Sequence, residues 1–241
     1  MELYNYFRSS ASWRVRIALA LKIGPATVSR ILRRLGLNRI RDIEPQPPIV
    51  RYEHEAPGDM LHLDIKRLVR TQRPSHRVTG DRRDGVKGIG AEFLHIAIDD
   101  HTRLAFAALL PDQKHSSALL FLHMARAFYS RFGFSVRRIL TDNGPCYRDK
   151  RFAEVIQKIC LKHRFTRPYT PRTNGKAERF IQTALREWAY ARTYQNSSER
   201  HTELDLWIHD YNFHRPHASL NSNPPASRAD LNRNNLLSLH T

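Results

Sequence analysis

Leu61-His62-Leu63-Asp64-Ile65-Lys66-Arg67-Leu68-Val69 is a short, largely apolar run that reads as one buried strand, and it carries a single acid in its middle. Two later segments carry acids in comparable settings. Leu140-Thr141-Asp142-Asn143-Gly144 places one just after the short strand candidate 136–140, and Pro171-Arg172-Thr173-Asn174-Gly175-Lys176-Ala177-Glu178-Arg179 places another just inside a helix start. Asp142 and Glu178 are separated by 35 residues. Any one of the three acids also reads as a surface acid or a helix cap. Brought together, three carboxylates can hold two divalent cations, and paired cations activate a nucleophile and stabilise the leaving oxygen of a phosphodiester. Asp64, Asp142 and Glu178 are therefore the candidate catalytic residues and the candidate ligands of two Mg2+ or Mn2+ ions.

Reading outward, residues 93–99 and 103–110 are expected as two more strands joined by the polar turn Asp99-Asp100-His101-Thr102, forming an antiparallel meander with 61–69. The Gly- and Arg-rich stretch 70–90 is an excursion between strands. Residues 116–132 read as a helix capped by Ser116 or Ser117, with Leu120, Met124 and Phe128 on its buried side. The strand 136–140 delivers Asp142 at its C-terminal end, where open α/β sheets place ligand-binding groups. Asn143-Gly144 then supplies a sharp turn, since glycine tolerates positive φ. A helix over 152–161 and a strand over 163–166 follow. Pro168 and Pro171 interrupt regular structure before a helix that starts near Thr173 or Asn174. Ile181, Ala184, Leu185 and Trp188 give that helix one apolar stripe, and Glu178 lies near its N-terminus, where the dipole favours a carboxylate. A last helix over 203–211 ends in Tyr211-Asn212-Phe213-His214-Arg215-Pro216-His217. Despite their number, His209, His214 and His217 are not assigned to a metal.

These motifs resemble the catalytic core shared by DDE insertion-sequence transposases and retroviral integrases, over roughly residues 53–221. The resemblance implies an α/β fold, a ribonuclease-H-like mixed sheet flanked by helices, with Asp64, Asp142 and Glu178 as metal ligands. It implies metal-dependent DNA cleavage and strand transfer in transposition and recombination, on double-stranded DNA at element ends and target, by a homo-oligomer. Lys176 and Arg179 beside Glu178 would face DNA phosphate, although a solvated basic face is an equally ordinary reading. For the Tyr211-to-His217 segment the resemblance implies a packing and DNA-side role. The alternative function is a catalytically silent, truncated DNA-binding remnant.

Bulk properties agree. At 241 residues the chain can hold one good-sized domain and a small one. A net charge of +17 suits a polyphosphate partner, because basic side chains release condensed counterions from DNA, although acidic membranes and RNA fit charge alone. Cys146 and Cys160 are the only cysteines, which argues against a disulfide framework and for a reducing, cytoplasmic setting, nucleoid-associated if DNA is the partner. No apolar stretch approaches the roughly 20 residues that span a bilayer, and the first 24 residues lack a signal-peptide layout, so no membrane partner is expected.

The N-terminus has a different character. Leu3-Tyr4-Asn5-Tyr6-Phe7-Arg8-Ser9-Ser10-Ala11-Ser12-Trp13-Arg14-Val15-Arg16-Ile17-Ala18-Leu19-Ala20-Leu21-Lys22 resembles the first strand, serine loop and first helix of zeta-class glutathione transferases, the maleylacetoacetate isomerases. That resemblance puts Ser9 and Ser10 at a glutathione thiolate. It stops near Ile23, so no glutathione site is expected, and a fused fragment over 1–23 is the reading. The donated helix also falls where transposases of this type place the first helix of a helix-turn-helix, here 12–41 with Gly24-Pro25-Ala26 as the turn. Val28, Ile31, Leu32 and Leu35 then form an apolar stripe, while Ser29, Arg30, Arg33 and Arg34 face outward, suited to a major groove or simply to solvent. Residues 1–51 hold ten Lys and Arg against three acids. The Pro-rich stretch 42–52 reads as a stiff linker, and 222–241 as a polar tail that frays.

Overall fold

The computed structural model describes residues 10–37, 53–70, 90–166 and 174–229. The chain divides into two compact units, Met1–Tyr52 and Glu53–Thr241. Ser9, the linker 42–52, most of the excursion 70–90 and the segment with Pro168 and Pro171 lie outside the described residues.

In the first unit, α1 (Ser10–Leu21) packs on α2 (Pro25–Arg34) through Ala18, Val28 and Leu32. Gly24 is the N-cap and Pro25 already helical, so the turn is tighter than Gly24-Pro25-Ala26. Proline suits a first helical position because its φ is preset and its missing N–H is not needed there. Ile31 and Leu35 are 44% and 63% exposed, so the expected four-residue stripe narrows to Val28 and Leu32. Arg30, Arg33 and Arg34 are exposed.

The second unit is built on five strands, β1 (Leu61–Val69), β2 (Ala91–Asp99), β3 (Ala105–Leu110), β4 (Arg138–Thr141) and β5 (Lys162–Phe165), in the order β3-β2-β1-β4-β5. The first three form the antiparallel meander, and β4 and β5 continue it in parallel. Strand side chains alternate between faces, so β1 divides its residues. Leu61 and Leu63 join Phe121, Tyr129, Phe152 and Ile156 on the face covered by α3 (His115–Arg131), α4 (Pro145–Arg148) and α5 (Lys150–Lys158). Leu68, with Ile96 and Ile98 of β2, joins Phe180, Trp188, Leu204 and Tyr211 on the face covered by α6 (Gly175–Ala184), its π-helical extension Leu185–Ala189 and α7 (Ser197–Phe213). This is the mixed sheet flanked by helices that the sequence implied.

Helix ends differ from expectation where caps decide them. Lys114, not a serine, precedes α3; Ser117 is buried and its hydroxyl donates to Asp112 at 2.7 Å. The buried face of α3 is Ala118, Phe121, Leu122, Ala125 and Tyr129, at spacings of three and four, which leaves Leu120 52% exposed. Asp149 caps α5 by accepting from the Arg151 amide at 2.8 Å, and Asn196 caps α7 by accepting from Glu199 at 2.9 Å, so both helices start earlier than periodicity suggested. Nor does the core end at 221. Arg228 donates to Glu53 at 2.5 Å and to the His101 carbonyl at 3.1 Å, and Ala229 is buried. Asn212 pairs with the Ala105 backbone through both amide atoms at 2.8 Å, and Tyr211 meets Phe180 edge-on at 4.8 Å, a packing role for that segment.

A buried ion pair fastens α7 to the sheet. Arg200 donates to Glu92 of β2 and, at 2.8 Å, to the carbonyl of Val69 on β1, while its own carbonyl accepts from the Trp188 indole at 3.0 Å. Removing one partner strands a buried charge, so Arg200→Ala is expected to lower stability by about 3–5 kcal/mol in urea unfolding. A second expectation concerns acid. Burial pushes His163 down to about 4, and burial with the Arg215 charge does the same to His217, against an ordinary 6.5. The unfolded chain takes up these protons near 6.5 while the fold resists until about 4, so their contribution is whole above about 6.5 and is lost as pH falls toward 4. Asp64 and Asp99, both pushed up by burial, act in the opposite direction. The stability loss between about pH 7 and pH 5 should therefore be smaller in His163→Gln than in the wild type.

Candidate active site

The alternation of β1 that sends Leu61 and Leu63 to the α3 side turns His62 and Asp64 toward α6. Asp64 is half-buried, and the Ile65 amide donates to its Oδ1 at 2.7 Å. Asp142 follows the last residue of β4. There the Thr141 hydroxyl donates to the Asp142 carbonyl at 2.8 Å and accepts from His163 Nε2 of β5 at 2.9 Å, so the neutral His163 ring holds the strand end in place. The Asp142 carboxylate is exposed, and its Oδ1 accepts from the Gly144 amide at 2.9 Å. Gly144 has φ −58°, so the expected positive φ is not what requires glycine. A side chain there would meet Asp142 itself: a Cβ would lie 2.9 Å from Oδ1, so the carboxylate would have to shift. Asn143 ties the turn to β5 by donating to the Thr166 carbonyl at 2.9 Å. Glu178 stands exposed on the first turn of α6.

Electrostatics link the three acids. Burial first, and then the negative charges of Asp142 and Glu178, push the Asp64 carboxyl up to about 6, offset in part by the Ile65 amide. Asp64 and Asp142 line one cleft of about 90 Å³ with Gln113, Gly144 and Tyr147. That is room for roughly three waters or a hydrated ion. Glu178 stands outside this lining, and among the described residues no three His, Cys, Asp or Glu side chains close around one point as a finished metal site. The donor chemistry fits a hard divalent cation, since oxygen ligands and accumulated negative charge are what such ions require. Asp64 and Asp142 share this cleft, and Glu178 acts on Asp64 through its charge from outside it.

Beside them lies a buried polar ring that the sequence reading missed. His62 is 1% exposed; its Nε2 meets Asp100 Oδ1 at 2.7 Å and its Nδ1 meets Asn174 Oδ1 at 3.1 Å. Asn174 Nδ2 donates to the Leu63 carbonyl at 3.3 Å. Lys176 donates to both the carboxylate and, at 3.1 Å, the carbonyl of Asp100, whose other carboxylate oxygen accepts from the His54 amide at 2.7 Å. Burial alone would raise the Asp100 carboxyl, but these donors hold it far below the usual carboxylate range. The Lys176 ammonium is thus turned inward onto this ring. Arg179 is exposed. A histidine inside the apolar run 61–69 was the only sequence signal for the ring. Its pairing with Asp100, 38 residues away, has none.

Comparison with known proteins agrees with the fold. Two family models, each described as an integrase core domain, match residues 54–171 and 159–225. A product named as an integrase, ORF3 of Spiroplasma virus SpV1-C74, is 28% identical over 201 residues, 78% of this chain and 51% of that one. An uncharacterized protein of insertion element IS136 from Agrobacterium fabrum is 30% identical over 86 residues, 36% of this chain and 44% of its own length. The chain thus spans about half the length of these relatives. A solved simian T-cell lymphotropic virus intasome, in complex with PP2A regulatory subunit B56 gamma, superposes with a TM-score of 0.55 at 16% identity, covering 93% of this chain and 76% of that one. At that identity the likeness is one of fold, the ribonuclease-H-like mixed sheet. Through residues 54–225 the chain carries an integrase core domain.

Proposed function

We propose that this chain is a DDE transposase of the insertion-sequence type, which cuts DNA at element ends and joins the freed 3′-hydroxyl to target DNA by in-line displacement. The observation that carries this reading is the half-buried Asp64 carboxyl, pushed up to about 6 by burial and by the charges of Asp142 and Glu178, within an integrase core domain. Like charges gathered in this way favour a bound cation. Asp64, Asp142 and Glu178 would hold two Mg2+ or Mn2+ ions. When bound, the ions would supply Lewis-acid activation of the attacking hydroxyl and stabilisation of the leaving oxygen.

The chain's own residues provide the geometry. Thr141 and His163 fix the end of β4, the Gly144 amide orients Asp142 Oδ1, and Asn143 holds the following turn against β5. Exposed Arg179 would meet DNA phosphate near Glu178, and Arg30, Arg33 and Arg34 on α2 would meet DNA separately, as a shortened helix-turn-helix. Double-stranded DNA as partner, a homo-oligomer that pairs two ends, and a cytoplasmic, nucleoid-associated setting complete the reading. Residues 1–23 are assigned to a fused isomerase-type fragment without a glutathione site.

Asp142→Asn keeps the side-chain shape but removes a charge. Mg2+-dependent nicking and strand joining on cognate element ends should fall by orders of magnitude, while DNA affinity and its salt dependence persist because they arise from Lys and Arg. Wild-type protein that binds those ends yet cleaves no better than Asp142→Asn, in Mg2+ or Mn2+, would sink the enzyme reading and leave the silent DNA-binding remnant. Gly144→Ala tests the Asp142 geometry. Its methyl would meet Oδ1 at 2.9 Å, so the carboxylate must shift by a few tenths of an ångström, and a fall in rate smaller than that of Asp142→Asn is expected. Single-turnover assays should show that loss with little change in the thermal midpoint.

A further inference from the structure

We infer that the ring of His62, Asp100, Asn174 and Lys176 is a positioning device that holds the first turn of α6, and with it Glu178, in reach of Asp64. The inference rests on the reading of Asp64, Asp142 and Glu178 as metal ligands. Its basis is that two residues at the start of α6 forgo what is locally favourable there for the sake of contacts elsewhere. Asn174 is the N-cap, a position where asparagine normally accepts from an amide of its own helix. Here it makes no side-chain cap bond. Its amide instead reaches β1 on either side of the face boundary, at the His62 ring (3.1 Å) and the Leu63 carbonyl (3.3 Å). Lys176 places a cation in the first turn, where the helix dipole disfavours it. Its ammonium is spent on Asp100, which also accepts from His62.

The four side chains therefore close a ring that passes through the α6 backbone between residues 174 and 176. Its anchor points on β1, His62 and Leu63, immediately precede Asp64. Glu178 lies four residues beyond Asn174, one turn along the same face of the helix. Apolar side chains could fill this space without the desolvation of a buried Asp, His and Lys, but they would allow α6 to slide and rotate over the sheet. A satisfied polar ring permits one arrangement. The acids themselves are left open to solvent, and their alignment is delegated to groups that touch neither metal nor DNA.

The test uses the full chain without DNA and follows Mn2+ binding by electron paramagnetic resonance, with Glu178→Gln as reference and circular dichroism as the check on folding. Asn174→Ala and Lys176→Met should stay folded and should weaken the Glu178-dependent Mn2+ site by roughly 10–100-fold, the range for groups that orient ligands. Affinity for duplex DNA should be unchanged in both. Lys176→Met keeps the apolar stem and serves if Asn174→Ala does not fold. Wild-type Mn2+ binding in the folded variants overturns the inference. So does a fall in DNA affinity for Lys176→Met with Mn2+ binding intact, which would return the lysine to the DNA face. Failure of the wild type to bind Mn2+ in an Asp142-dependent manner has a different meaning, since it removes the proposed function itself and this inference with it.

Discussion

The register of β1 is the constraint on which the rest of the second unit depends. β1 is the central strand, paired antiparallel along its length with β2 and in parallel with β4, and its side chains alternate between two faces that each carry a hydrophobic core. Leu61 and Leu63 fill the α3 side, while Leu68 and the partner positions Ile96 and Ile98 fill the α6 side. A slip of one residue would drive Asp64 into the first core and turn Leu63 toward the acids. Burial on both faces forbids that slip and thereby fixes which acid meets α6.

Around this strand the candidate site separates support from exposure. Its supports are hydrogen-bonded side chains set into the fold: Thr141 with the half-buried His163, and His62 with Asp100 and Asn174. Asp142 and Glu178, by contrast, are exposed, and Asp64 is only half-buried. The asymmetry has an electrostatic reason. Three carboxylates packed tightly together would repel one another without a cation, whereas exposed acids on rigid supports can wait in water. Asp64 registers the arrangement most strongly because it is the least solvated of the three.

Local pattern carried much of this. The strands, the helix that bears Glu178 and the delivery of Asp142 from the end of β4 followed from apolar runs, caps and glycine or proline punctuation. Misreadings arose where a single residue serves a distant partner. Ser117 resembles a cap but bonds Asp112, Asn196 starts α7 well before the apolar pattern sets in, and Arg228 carries the core past residue 221 by reaching Glu53. Lys176 is the sharpest case. Between Gly175 and Glu178 it reads as a phosphate contact, and nothing in its neighbours announces Asp100.

By itself the sequence determined the three acids, the spacing of the last two, the strands and helices that carry them and the basic character that suits DNA. These are properties of short segments, and short-range periodicity and residue chemistry suffice to read them. The tertiary structure alone decided which side chains of β1 face α6 and that His62, Asp100, Asn174 and Lys176 form one ring. Each of these depends on atoms brought within about 3 Å from positions far apart in the chain, and hydrogen bonding at that range depends on geometry that no linear pattern encodes.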